Sequence, residues 1–418
     1  MSSAPLTSSG KRGSNDGARE ERPDQPGSDH GIPLKAFEFQ QAGEILFGNG
    51  RISEVGSIVS RYGQRCLIVS GPKTGALRDL YPIVGELLEH LGLEWEHFDG
   101  VHPNPTVELI TRGAKLARTF HADVILGIGG GSSLDTAKAI SVEATHQGTS
   151  WDYLLFKQRP TARTLPVVTV GTTAGSGSQV NSLAVITNLS SRLKSALCSP
   201  HLVPKAAIVD PQLMLSVPAE VTAVTGFVAF CHAFEAILHP RSNPLTELFG
   251  WEAVTRVIKN LPSAVQDGSN LAARSSLAWA DTLAGLATCG SGVALAHGLA
   301  MAIGGRCADT PHGLALASVF RACLEFTWAF SVSTFATLAH LLEPALDEVP
   351  ARDAAERCPD LLQAFLARLD LACSLRDFGI AQEELAVLAK QSMALPHYKN
   401  NPRIPTPDQM LELFIESY

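Results

Sequence analysis

A change of hydrophobic rhythm at Val217-Pro218 constrains this chain more than any other feature. Before it, short and nearly continuous apolar runs alternate with stretches of helical spacing. Arg65–Gly71, Asp123–Ile128 and Leu165–Val170 read as buried strands, with helices over Ala76–Leu91 and Thr106–Phe120 between them. Strands that are apolar on both faces and separated by helices assemble into a parallel sheet covered on both sides. After Pro218, apolar residues recur every three or four positions through Ala219–Leu238, Leu245–Leu261, Ala272–Gly285, Ser291–Ile303 and Gly313–Phe326. That period is helical. The expected architecture is an α/β domain with a parallel sheet over residues 34–217, then an all-helical domain over residues 218–418. Residues 1–33 are Ser, Gly, Pro and charge; with so little to bury they are expected to form a disordered tail.

With 418 residues, 45% of them hydrophobic, the chain has enough apolar surface for two cores. A net charge of −8 leaves no basic footprint for nucleic acid. No uninterrupted apolar run reaches the roughly 20 residues that cross a bilayer, so no membrane association is expected. The N-terminal stretch lacks the apolar centre of a secretory leader. Eight cysteines stand in apolar surroundings without C-x-x-C spacing. They read as reduced, buried thiols in a cytoplasmic protein, in preference to a disulfide framework or a thiolate metal site.

Two glycine-rich turns follow predicted strands. Gly127 to Lys138 (GIGGGSSLDTAK) leaves one strand and opens a helix. Glycines there let backbone N–H groups approach an anion, and the helix N-terminus adds positive partial charge. The run does not complete G-x-G-x-x-G, because its last position is Ser132, and it lacks the Gly-Lys-Ser/Thr end of a Walker loop. Taken alone it is either a diphosphate site or a structural tight turn. Gly171 to Ser178 (GTTAGSGS) follows another strand. It is either a polar ligand loop at the edge of the sheet or a loop with no ligand.

Several motifs fall in a co-linear order that resembles the iron-containing alcohol dehydrogenase family. They are Leu46 to Gly50, Pro103 to Thr106, the Gly129–Ser132 run with Asp135 and Lys138, Thr172 to Ser178, Val209 to Pro211, Thr225-Gly226, His232 with Glu235, Asn243-Pro244 and Pro311 to Gly313. The resemblance spans about residues 38–418. It implies NAD(P) on Gly129, Gly130, Gly131 and Ser132, with Thr172, Thr173, Ser176 and Lys194 also at the cofactor. It further implies an interdomain cleft for a small alcohol, aldehyde or ketone, hydride transfer to or from it, and a homodimer.

The resemblance also implies a divalent ion, iron or zinc, held by one Asp and three His. The histidines fall on His232, His297 and His312, but the carboxylate position holds Val228 and a further family histidine is Met301. The segment from His297 to His312 is one residue longer than the family's. Three imidazoles with an open position suffice for Zn²⁺, whereas losing a carboxylate weakens Fe²⁺ more. The alternative is a metal-free site, as in the maleylacetate reductase branch, with catalysis resting on His232 and His297. In the family an acid after the second strand selects NAD; here Gly71 stands there, with Lys73 beside it, which favours NADP. A dehydroquinate-synthase-like lyase and a degenerate, non-catalytic homologue remain as competing functions. Phe227 and Phe230 either narrow the substrate pocket or pack the core. Trp151 to Tyr153 is read as helix packing, and His102 as exposed.

Overall fold

A computed structural model describes residues 36–39, 43–73 and 77–418; the predicted tail and the first residue of the helix expected from Ala76 lie outside them. Phe37–Tyr418 forms one unit. Its strands are β1 (Glu44–Phe47), β2 (Arg65–Ser70), β3 (Glu94–Phe98), β4 (Val124–Gly129), β5 (Val167–Gly171), β6 (Leu183–Asn188), β7 (Leu193–Cys198) and β8 (Ala206–Val209). Between them run α1 (Val55–Val59), α2 (Leu80–Glu89), α3 (Val107–Phe120) and α4 (Gly131–Glu143). Six strands form one parallel sheet in the order β1-β8-β5-β4-β2-β3, while β6 and β7 pair as a separate antiparallel hairpin. β4, β5 and β8 are buried throughout, and β2 is buried from Cys66 on. Apolar clusters cover the sheet on both sides, one around Ile68, Leu126 and Val168, the other around Leu67, Ile125 and Ile140.

Local chemistry sets the helix ends. Thr106 caps α3 by accepting from the Leu109 N–H at 3.3 Å, and His121 closes it in the left-handed region at φ 56°. From Ala219 on, the described residues are helices and connections: α5 (Ala219–Leu238), α6 (Pro244–Gln266), α7 (Leu271–Gly290), α8 (Leu295–Arg306), α9 (His312–Thr327), α10 (Val332–Leu342), α11 (Ala351–Ala367), α12 (Leu385–Ala394) and α13 (Pro407–Glu416). α7 and α8 meet at 103°, so the expected helix from Ser291 begins only at Leu295. The chain spends Ser291–Ala294 on the corner.

Two expectations are corrected or decided here. α5 and the segment His312–Phe330 are long and apolar enough, by length and composition, to cross a membrane. Both are mostly buried inside the protein, where the same surface serves as core. Phe227 and Phe230 stack on each other and meet Phe320 edge-on, fully buried, so they pack the helical core and do not line a pocket.

Candidate active site

Parallel strands present their C-terminal ends along one edge, and the sequence-predicted ligand residues collect there. The order β3-β2-β4-β5 puts Gly71, the Gly129–Ser132 turn and the Thr172–Ser178 loop on adjacent strands. The chain reverses direction across the sheet between β2 and β4, the position where such sheets open a crevice. Gly129 has φ +143°, a conformation that favours glycine, and a Cβ there would lie 2.5 Å from Ser133 Oγ. Gly130 is the N-cap of α4 and has no side-chain cap, so the first amides of the helix are free for an anion.

The second loop closes over the first. The Thr172 N–H donates to Gly129 O at 3.0 Å. A Cβ on Gly130 would meet Thr173 Oγ1 at 2.8 Å, and one on Gly131 would meet Ser176 Cβ at 2.7 Å. Thr173 and Ser176 thus stand directly against the glycine turn. Asp135 and Lys138, part of the same motif, face elsewhere. Lys138 Nζ donates to Ser178 Oγ, to Asn181 O and Oδ1, and to Leu183 O, while Asp135 accepts from Ser178 Oγ and the Val185 N–H. They fasten α4 to the hairpin. Lys194 is buried on β7 and donates to Asn104 Oδ1 at 2.7 Å, while Asn104 Nδ2 donates to Ala308 O and Thr310 O. Lys194 therefore stands close to the segment that leads into His312.

The three histidines come together from three helices. The rings of His232 on α5 and His297 on α8 stack with centroids 4.7 Å apart, and His312 at the start of α9 lies 5.4 Å from His297. Each is fixed from behind. His232 Nδ1 pairs with Gly175 O at 3.1 Å, so it carries the proton and leaves Nε2 as an acceptor. His297 Nδ1 pairs with Glu235 Oε2, and Glu235 Oε1 accepts from the Ala296 N–H at 2.7 Å. His297 Nε2 and His312 Nδ1 are buried without a protein partner. Burial, with His297 alongside, pushes His232 down to about 3; burial and the nearby Lys194 charge hold His312 well below the usual imidazole range. Both rings are neutral at pH 7.

Residues 42–211 match the family description "Iron-containing alcohol dehydrogenase", and residues 222–418 match "Fe-containing alcohol dehydrogenase family, C-terminal". The chain is 32% identical to 1,3-propanediol dehydrogenase of Citrobacter freundii over 391 residues, covering 93% of this chain and 100% of that one. It is 30% identical to NAD-dependent methanol dehydrogenase of Bacillus methanolicus, covering 88% and 96% of the two chains. The fold overlays an archaeal halo-thermophilic alcohol dehydrogenase from a Red Sea brine pool with a TM-score of 0.86 at 30% identity, covering 92% and 100%. The chain belongs to the iron-containing alcohol dehydrogenase family. It is an oxidoreductase acting on alcohols in a family that uses NAD(P) and iron or another divalent metal.

Tested against such a metal, the side chains as they stand fall short. Val228 offers methyl groups where the family has a carboxylate. Among the described residues, no three His, Cys, Asp or Glu side chains bring donors to one metal-binding point. Sequence reasoning had not singled out Asn104 as the partner of Lys194, nor Glu235 as the partner of His297. It also missed His397, which packs beside Gly298 on α8, its Nδ1 buried without a protein partner. A histidine in a polar C-terminal stretch carries no local mark of such a place.

Proposed function

We propose that the chain transfers hydride between NADP(H) and a small alcohol or carbonyl compound held between the glycine turns and the histidines. The observation that carries this is the His232–Gly175 hydrogen bond: the loop whose side chains face the nucleotide turn also holds a histidine of the cluster. The nicotinamide supplies the hydride chemistry. His232 and His297 both turn an Nε2 toward acceptor duty, but only His297 has a buried carboxylate behind it to stabilise the imidazolium. In alcohol oxidation His297 Nε2 would take the hydroxyl proton, a bound nicotinamide serving as hydride acceptor; in reduction it would return that proton to the carbonyl oxygen. Gly129–Ser132, Thr172, Thr173 and Ser176 would hold the diphosphate, with Lys194 also at the cofactor.

NADP is favoured because Gly71, at the end of β2, carries no acid to repel a 2′-phosphate, and Lys73 is exposed two residues on. Eight free thiols suit a reducing cytoplasm. β1 has a strand on one side only among the described residues, which leaves an edge for a homodimer. The test is cofactor oxidation followed at both nucleotides with a panel of short aldehydes and ketones, for the wild type and for His297→Ala. Turnover with at least one substrate, a preference for NADPH and a loss of about 10²-fold or more in kcat for the variant are expected. A tenfold preference for NADH contradicts the nucleotide assignment; full activity in the variant contradicts the role of His297.

A further inference from the structure

The loop after β5 touches four elements at once, and a buried carboxylate outside the histidine cluster holds it there. Asp281 on α7 is almost fully enclosed. Its Oδ1 accepts from the Gly177 N–H at 2.7 Å and its Oδ2 from Gln179 Nε2 at 2.7 Å. Around this anchor the loop lies backbone to backbone on the helices. Gly177 is left-handed at φ +61°, and a Cβ on it would come within 2.4 Å of Gly285 Cα on α7. A Cβ on Gly175 would come within 2.5 Å of Thr225 O on α5. From this seat the Gly175 carbonyl reaches His232, while Thr173 and Ser176 reach the nucleotide turn.

Both carboxylate oxygens accept from the same loop, one of them from a main-chain amide. They fix the loop's height against α7, which sets both the His232 ring and the Ser176 hydroxyl. We propose that Asp281 is a positioning residue for the active site, acting through Gly177 and Gln179 to hold the nucleotide turn and the histidine cluster in register. This rests on the reading of Gly129–Ser132 as the nucleotide site. Nothing in the local sequence marks it: Asp281 is a lone acid in an Ala- and Leu-rich helix.

Two replacements separate positioning from bulk stability. Asp281→Ala removes both acceptors. Asp281→Asn keeps an oxygen for the Gly177 amide and, once the Gln179 amide turns over, offers its own N–H₂ to the Gln179 oxygen. Nucleotide Kd is measured by calorimetry with NADPH and NADH, kcat and KM with a reactive aldehyde, all well below each variant's melting temperature. Asp281→Ala is expected to weaken nucleotide binding about tenfold and to lower kcat by a similar factor, the effect of losing a charged hydrogen bond. Asp281→Asn is expected to recover most of both. Should Asp281→Ala fail to fold, Gln179→Ala, which removes one bond only, is expected to show the same losses in smaller measure. Unchanged Kd and kcat in a folded Asp281→Ala or Gln179→Ala variant overturn the proposal, whatever happens to the melting temperature. A wild type that binds neither nucleotide overturns the underlying reading instead, and this inference with it.

Discussion

Val228 lies on α5 one turn before His232, buried, and its Cγ2 would stand 3.0 Å from a Cβ on Gly313, next to His312. Residues four apart on a helix share a face, so a side chain at 228 stands on the His232 side of α5. Val228→Asp is therefore expected to add a hard oxygen donor and raise iron retention more than zinc retention. Elemental analysis after dialysis reads the first effect, and paired thermal melts with and without added metal read the second. If the variant is destabilised equally in both melts, by about 3–5 kcal/mol, and retains no metal, the carboxylate is an unpaired buried charge. The histidines would then be hydrogen-bonding groups alone. Resemblance led to these three residues because their motifs are local. The Glu235–His297 pair escaped that reading because it joins positions 62 apart through the corner between α7 and α8.

At the scale of elements, glycine pairs are what let the two halves touch. Gly285 on α7 has no room for a side chain: a Cβ would fall 2.6 Å from Val180 Cγ2 and 2.7 Å from Gly177 O. Gly285→Ala should therefore push the loop off α7, with a loss of about 1–3 kcal/mol typical of overpacking. Chemical denaturation measures it; an unchanged midpoint would show that the loop yields freely. Much of the element plan was legible beforehand. α5 has the bounds its periodicity predicts, and α3 differs only in treating Thr106 as its cap. Three of the five strands not picked out have plain reasons. β3 (EWEHF) is a half-exposed edge strand with charge at alternate positions, and β1 and β8 have only four residues each. Short strands give a period-two pattern too little length to stand out.

Across the whole molecule, neutral histidines make the fold sensitive to acid. Burial lowers His97, His239 and His397 to about 4 and His232 to about 3, and it pushes His312 lower than its usual range. Between those values and 6.5 the unfolded chain binds protons that the folded chain refuses, so stability is present above 6.5 and is lost as pH falls. Burial raises Asp135 and takes Asp281 up to about 6, which works in the opposite direction. The histidines outnumber these acids, so unfolding near pH 5 should take up protons on balance. Melting temperatures across pH 5 to 7.5 are expected to climb with pH. A higher melting temperature at pH 5 would refute the account.

The apolar helix α5 also matters before the protein is finished. It packs on α6, α7 and α9, and all three come later in the chain. At ribosomal speeds the wait from the end of α5 to the end of α9 is roughly 5–18 s. α6 and α7 follow α5 directly, but until α9 is made a segment with the length and composition of a membrane span still lacks part of its packing. The packing that makes the mature interior dense is thus complete only after the last of these helices has been made.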